Sequence, residues 1–265
     1  MSIKPIIFYD IPSTLPGNVW SPNTWKARYA LNYKKIPYKT EWVEYPDIAS
    51  TCIRIGAPPT TTWKKDGSPY YTAPFIFDPN TNRAISDSIV IAQYLDEQYP
   101  DTLPLFRFPG SPIGLNLGVV QAGFVDAFRA IALANSWQFT LPRTRAILNP
   151  VSEVYFRRTR EETFGKRLED VVPKKETGDW DREWEKVKKD FEAADKWFRQ
   201  HAAPNSGEWV LGDTLSFADL SIAGYLIWIR ILMGEDSQYW KDITSWSGGR
   251  WGRFIERLAP YETVL

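Results

Sequence analysis

The stretch from Tyr71 to Leu95 constrains this chain more than any other: Y-Y-T-A-P-F-I-F-D, a turn at Pro79-Asn80, then A-I-S-D-S-I-V-I-A-Q-Y-L. Its first half reads as a short strand entered through Pro74. Proline lacks the N–H that a ladder needs, so within sheets it belongs at the first position of a strand or at a bulge. Thr72-Ala73-Pro74 therefore predicts a tight bend, for which a cis peptide is a ready geometry. Such a bend keeps Ala73 off the neighbouring strand and leaves its N–H and C=O for an extended peptide ligand. The second half opens a helix at Ser86-Asp87-Ser88, with Ile91, Ala92, Leu95 and Tyr99 at helical spacing. Exposed N–H groups and the positive dipole end of a helix start favour a carboxylate, and Asp87 beside them suits an ammonium. One site then offers partners for both ends of an α-amino acid, next to a bend that pairs with peptide backbone. A proline-entered strand and an ordinary N-cap are the plainer readings of the two features taken singly.

The bulk of the chain excludes several function classes. Basic and acidic residues both number 32, so the net charge is zero and gives no general attraction to nucleic acid or anionic membrane. The run around Arg157, Arg158 and Arg160 is answered by Glu161 and Glu162, as on a solvated helix face. A single cysteine, Cys52, forbids an internal disulfide and suits a reducing compartment. It shares an apolar face with Ile48 and Ile55 and reads as buried. With one histidine, His201, near a predicted helix end, there is no material for a Cys/His zinc site, and no metal is expected. Walker A and G-x-G-x-x-G loops are absent from the sequence. No apolar leader precedes the first strand, and the longest apolar run, Ile222 to Ile229, stops at Arg230, far short of a bilayer span. A soluble, cytoplasmic protein is the expectation.

Taken in order, Lys4 to Asp10 is an apolar strand suited to burial on both faces. Ile11 to Trp20 is a long loop for a strand-to-helix connection and a candidate wall of a binding site. A helix follows at Ser21-Pro22, with serine as N-cap and proline as first helical residue. The Ser21 hydroxyl can simply cap, or it can hold an anion such as a thiolate at the helix start. Thr24, Ser13, Thr14 and Tyr9 are the other hydroxyls in reach of that role. Tyr38 to Val43 reads as a second strand and Asp47 to Gly56 as a short helix ended by glycine. The connection from Ala57 to Tyr71 is rich in turn residues; Lys64 and Lys65 lie on it without an assigned contact. Strands at 74–78 and near 83–85 and the helix after Ser86 complete a thioredoxin-like βαβαββα order.

Four prolines between Pro100 and Pro112 predict a linker. The expected division is a βαβαββα domain over residues 1–101, a linker over 102–112 and an all-helical domain over 113–265. Trp180, Trp184, Val187, Phe191, Ala194 and Phe198 recur every three or four residues, as on an amphipathic helix. Ser216-x-x-Asp219 has the form of a capping box ahead of an apolar helix over Leu220 to Ile231.

Together, S-P-N-T-W-K-A-R-Y-A-L, T-A-P-F, S-D-S-I-V-I-A-Q-Y-L and the Ser216-x-x-Asp219 box resemble the glutathione transferases along essentially the whole chain. The long first loop and the P-N-T-W-K run look most like the etherase-related fungal FuA class, and more distantly the bacterial lignin β-etherases and the serine-type tau class. That resemblance implies glutathione as co-substrate, with Ser21 donating to its sulfur. Thr72, Ala73 and Pro74 would hold the cysteinyl backbone, and Asp87 and Ser88 the γ-glutamyl end. It implies conjugation of glutathione to hydrophobic or aromatic electrophiles, isothiocyanates or hydroperoxides, with aryl ether cleavage as a further chemistry. A homodimer is also implied. The alternative is a carrier of aromatic or polyphenolic compounds without turnover. A second ligand should sit between the domains, where pockets commonly form. Leu15, Pro16 and Trp20 on the loop and Phe124 and Phe128 on the first long helix are the residues expected to face it.

Overall fold

The computed structural model describes residues 3–60, 64, 66–106, 117–174, 177–202 and 206–265. The expected element order is present: β1 (Ile6–Asp10), α1 (Pro22–Tyr33), β2 (Tyr38–Trp42), α2 (Ile48–Ile55), β3 (Phe75–Asp78), β4 (Arg83–Ser86) and α3 (Ser88–Gln98). A 3-10 turn over Tyr45–Asp47 leads into α2, which ends on Gly56 in the left-handed conformation at φ 73°. The remaining helices are α4 (Leu117–Ala132), α5 (Trp137–Ile147), α6 (Pro150–Phe164), α7 (Asp179–His201), α8 (Phe217–Met233) and α9 (Gln238–Glu256). Part of the predicted linker, residues 107–112, and Lys65 lie outside the described residues.

The sheet has the order β2-β1-β3-β4, with β1 and β2 parallel and the other pairs antiparallel. β1 is covered on both faces, as its apolar run requires. Ile6 and Phe8 face one core, built with α1, α3 and the helical half, while Tyr9 faces a second core holding Trp20, Cys52, Phe75, Leu148 and Phe156.

α1 lies between the sheet and α8. The two helices approach so closely that a Cβ on Gly224 would sit 2.7 Å from the Pro22 carbonyl oxygen. Two buried ion pairs tie it down, one from its middle and one from its C-cap. Arg28 donates from Nη2 to Asp10 Oδ2 at 2.8 Å, with both side chains almost wholly buried. Lys34 meets Asp96 at 2.7 Å, and Asp96 also accepts the Leu105 and Phe106 N–H groups where the chain leaves α3 for the helical half.

The capping box forms. Asp219 Oδ2 accepts the Ser216 N–H at 2.9 Å and the Ser216 hydroxyl at 2.7 Å, while its Oδ1 accepts Val210 N–H at 2.8 Å. Burial outweighs these bonds and pushes the Asp219 carboxyl up to about 6. A carboxyl whose folded pKa lies above its unfolded value of about 3.9 takes up a proton on folding. Its contribution to stability therefore falls as pH rises through that window and levels off above it. Urea titrations from about pH 4 to 7 should show the wild type losing stability relative to Asp219→Asn across this range. The opposite slope would contradict the assignment.

Candidate functional site

The strand register gathers the singled-out residues at one end of the sheet. Tyr9 of β1 pairs with Phe75 of β3, and Phe75 pairs with Ser86 of β4. Beyond these pairs lie the carboxyl end of β1 and the loop leading to Ser21, then Pro74 just before β3, then Asp87 just after β4. The Ala73–Pro74 peptide is cis, and Asp87 N–H donates to the Pro74 carbonyl at 3.3 Å. Among the described residues, the backbone N–H and C=O of Ala73 make no hydrogen bond. A strand-edge peptide unit is thus left open beside the start of α3.

Asp87 sits at φ 77° without being glycine. Non-glycine residues in such regions carry a conformational cost on the order of 1–3 kcal/mol and cluster at ligand sites. Its Oδ1 caps α3 by accepting Ile89 N–H at 3.0 Å, which leaves Oδ2 unengaged. Neither the Ser88 N–H nor its hydroxyl is bonded among the described residues.

Ser21 stands at the N-cap of α1, yet its hydroxyl makes no capping bond. Its carbonyl accepts Trp25 N–H at 3.0 Å and the Thr24 hydroxyl at 3.1 Å. Of the other candidates, the Thr24, Ser13 and Thr14 hydroxyls are engaged. Ser13 donates to the Asn18 carbonyl at 3.0 Å and Thr14 to the Ile147 carbonyl at 3.1 Å. Tyr9 is buried against Phe75 with ring centroids 4.6 Å apart, and burial raises its phenol. Cys52 is buried, and burial pushes its thiol up to about 12. Among the described residues, no cluster of three or more His, Cys, Asp or Glu could hold a metal ion.

The five residues expected around a second ligand are not brought together. Leu15 is half-buried and Pro16 exposed on the loop, but Trp20 is buried beside Tyr45, its ring centroid 6.4 Å away. Phe128 is 1 % exposed and packs edge-on to Trp251 at 5.8 Å in the helical core. Phe124 turns to α7, edge-on to Trp197 at 5.8 Å. Aromatic spacing on α4 could not show which core claims each ring.

Leu141 and Ile147 of α5, Phe156 of α6 and Trp228 and Ile231 of α8 pack on the same core as Ala73 and Tyr71. Tyr45 stacks on Tyr155 of α6 at 5.5 Å, and Thr14 N–H donates to Ile147 at 2.8 Å, tying the first loop to α5. None of these carries a sequence motif.

This architecture, a four-stranded thioredoxin-like domain with a cis-proline opposite the start of α3 and a helical domain behind it, is that of the glutathione transferases. The family descriptions "Glutathione S-transferase, N-terminal domain" and "Glutathione S-transferase, C-terminal domain" match residues 20–98 and 119–261. The chain is 34% identical to the glutathione S-transferase-like protein ustS of Aspergillus flavus over 254 residues, 93% of this chain and 87% of that one. A glutathione S-transferase of Ceriporiopsis subvermispora, crystallised in complex with glutathione, superposes with a TM-score of 0.88 at 44% identity over 99% of both chains. Glutathione transferase GSTFuA3 of Phanerochaete chrysosporium gives 0.88 at 40% identity over 100% of both. The chain belongs to the glutathione S-transferase family, and FuA-type fungal transferases are among its relatives.

Proposed function

We propose that this protein binds glutathione at the sheet end described above and transfers it to hydrophobic or aromatic electrophiles, with Ser21 stabilising the thiolate. The observation that carries this reading is the convergence of three unsatisfied polar groups at one edge. These are the open Ala73 peptide, the free oxygen and N–H groups at Asp87-Ser88, and the uncommitted Ser21 hydroxyl. A tripeptide thiol with an α-amino acid at one end has a matching polar inventory. Ala73 N–H and C=O pair with peptide backbone, and Thr72 and Pro74 hold that unit in the extended form. Asp87 Oδ2 takes the ammonium, while the Ser88 N–H and hydroxyl take the neighbouring carboxylate.

Glutathione supplies a thiol whose thiolate is the nucleophile. Free thiols have a pKa near 8.5, so lowering it raises the reactive fraction at neutral pH. The Ser21 hydroxyl donates towards the sulfur, and the Asn23 and Thr24 N–H groups, unpaired among the described residues, add the positive field of a helix start. Pro22 contributes no donor but fixes the turn. Ser21 never becomes a nucleophile. The acceptor side is formed by Trp228, Ile231, Leu141 and Ile147, which pack on the same core as Ala73.

Steady-state kinetics with 1-chloro-2,4-dinitrobenzene test the reading. Asp87→Asn keeps the helix cap but loses the charge, and should raise the KM for glutathione by about tenfold or more, the worth of a charge-assisted hydrogen bond. An unchanged KM would remove Asp87 from the site. Absence of turnover alongside tight glutathione binding would turn the reading to a carrier.

A further inference from the structure

Three cationic side chains of α1 and its C-cap, Lys26, Arg28 and Lys34, are buried. Arg28 faces Asp10 and Lys34 faces Asp96. Lys26 is 7 % exposed, yet no carboxylate lies within ion-pair distance of it among the described residues. Its Nζ donates to Asn23 Oδ1 at 3.0 Å and to the Tyr225 hydroxyl at 2.9 Å, and stands 4.5 Å from the Tyr225 ring centroid. Those partners are neutral. The carboxylates of the elements packed on α1 are committed elsewhere. Asp219 of α8 belongs to the capping box, Asp96 of α3 holds Lys34, and Glu262 meets Arg230. α8 also closes over the lysine stem, for a Cβ on Gly224 would come within 3.2 Å of Lys26 Cγ.

The place of this charge sharpens the question. Lys26 is the fifth residue after the cap Ser21, so its Cα lies about 7.5 Å along α1 from it. Helical side chains lean towards the N-terminus, and the bond to Asn23 brings the ammonium back beside the first turn. That end of a helix is already positive and disfavours a cation. The first turn of α1 holds no acidic residue to offset it. A buried charge without a counter-charge is costly, and such conflicts with the rules of folding concentrate at functional sites.

We propose that Lys26 supplies a fixed positive charge for the glutathione thiolate at Ser21, and that the sulfur is its missing counter-charge. The inference rests on the glutathione reading above. Lys26 acts without touching the sulfur: the Ser21 hydroxyl makes the direct bond, and the ammonium behind the first turn favours the ionised form over the neutral thiol. Ligand binding then relieves a cost that the free protein carries.

Ultraviolet titration of the thiolate, with glutathione bound to the full chain, tests this. Lys26→Met, uncharged and of similar length, should raise the thiol pKa by about one and so lower the thiolate fraction below that pKa about tenfold. Lys26→Arg keeps the charge and should keep the thiol near its wild-type value. S-methylglutathione has no thiolate, and calorimetry should find its affinity unchanged in Lys26→Met. Should that variant not fold, Lys26→Gln keeps a donor for Tyr225 while losing the charge, and gives the same comparison. A wild-type thiol at its free value would overturn the thiolate reading and this inference together. A depressed wild-type thiol that loss of the charge leaves unmoved would overturn this inference alone. Equal weakening of S-methylglutathione, or a thiol raised as far in Lys26→Arg as in Lys26→Met, would do the same by making the lysine a packing residue.

Discussion

Ser21→Ala is expected to lower kcat/KM for glutathione conjugation by roughly 10- to 100-fold with little change in stability. A hydrogen bond to a charged group contributes about 1.5–3 kcal/mol, which sets that range. Serine at a working N-cap costs on the order of 1 kcal/mol to remove. Here the hydroxyl caps nothing, so the melting temperature should barely move. Thr24→Val is the matched control. Its hydroxyl is spent on the Ser21 carbonyl, and the variant should retain turnover close to wild type. Equal losses in the two variants would mean that both act by disturbing the start of α1.

The largest stability effect should come from the Asp10–Arg28 pair. Arg28 is wholly buried, with its guanidinium carbon 4.8 Å from the Phe8 ring centroid and Nη1 shared between Tyr38 and Thr40 hydroxyls at 3.2 Å. Asp10 is its only counter-charge among the described residues. Asp10→Ala leaves a buried cation without compensation, and breaking such a pair costs about 3–5 kcal/mol. In a chain of this size that corresponds to a fall in melting temperature on the order of 10 °C. Because the pair joins the end of β1 to α1, turnover should fall as well, through displacement of Ser21. Replacing both partners, Asp10→Leu with Arg28→Met, should recover much of the stability, since an apolar pair of similar volume removes the desolvation problem. A double variant as unstable as Asp10→Ala would point to lost packing in place of lost charge.

Much of this was legible in the residues. Pro74 at a strand entrance, glycine at position 56 and the Ser216-x-x-Asp219 box each mark a local geometry that the chain adopts, because their causes are local. A missing N–H, an absent Cβ and a short polar side chain act within a few residues. Strand β1 was legible for the same reason, since burial on both faces demands an unbroken apolar run. The ion pairs were not legible. Asp10 and Arg28, like Lys34 and Asp96, are charged residues in stretches where charge ordinarily faces water, and only the packing of α1 between sheet and α8 buries them. The packing of the α4 aromatics was not legible for a related cause. Phe124 and Phe128 share a helix face with the right spacing for a pocket, but α7 and α9 claim both rings.

The central claim is that Ser21 stabilises a thiolate, and the most direct measurement is the pKa of that thiol. Ultraviolet absorbance of the thiolate, followed against pH with glutathione bound, should give a pKa well below the free value of about 8.5 in the wild type. In Ser21→Ala it should return towards that value. A depressed pKa that persists unchanged in the variant would contradict the account and move the role to the helix start alone.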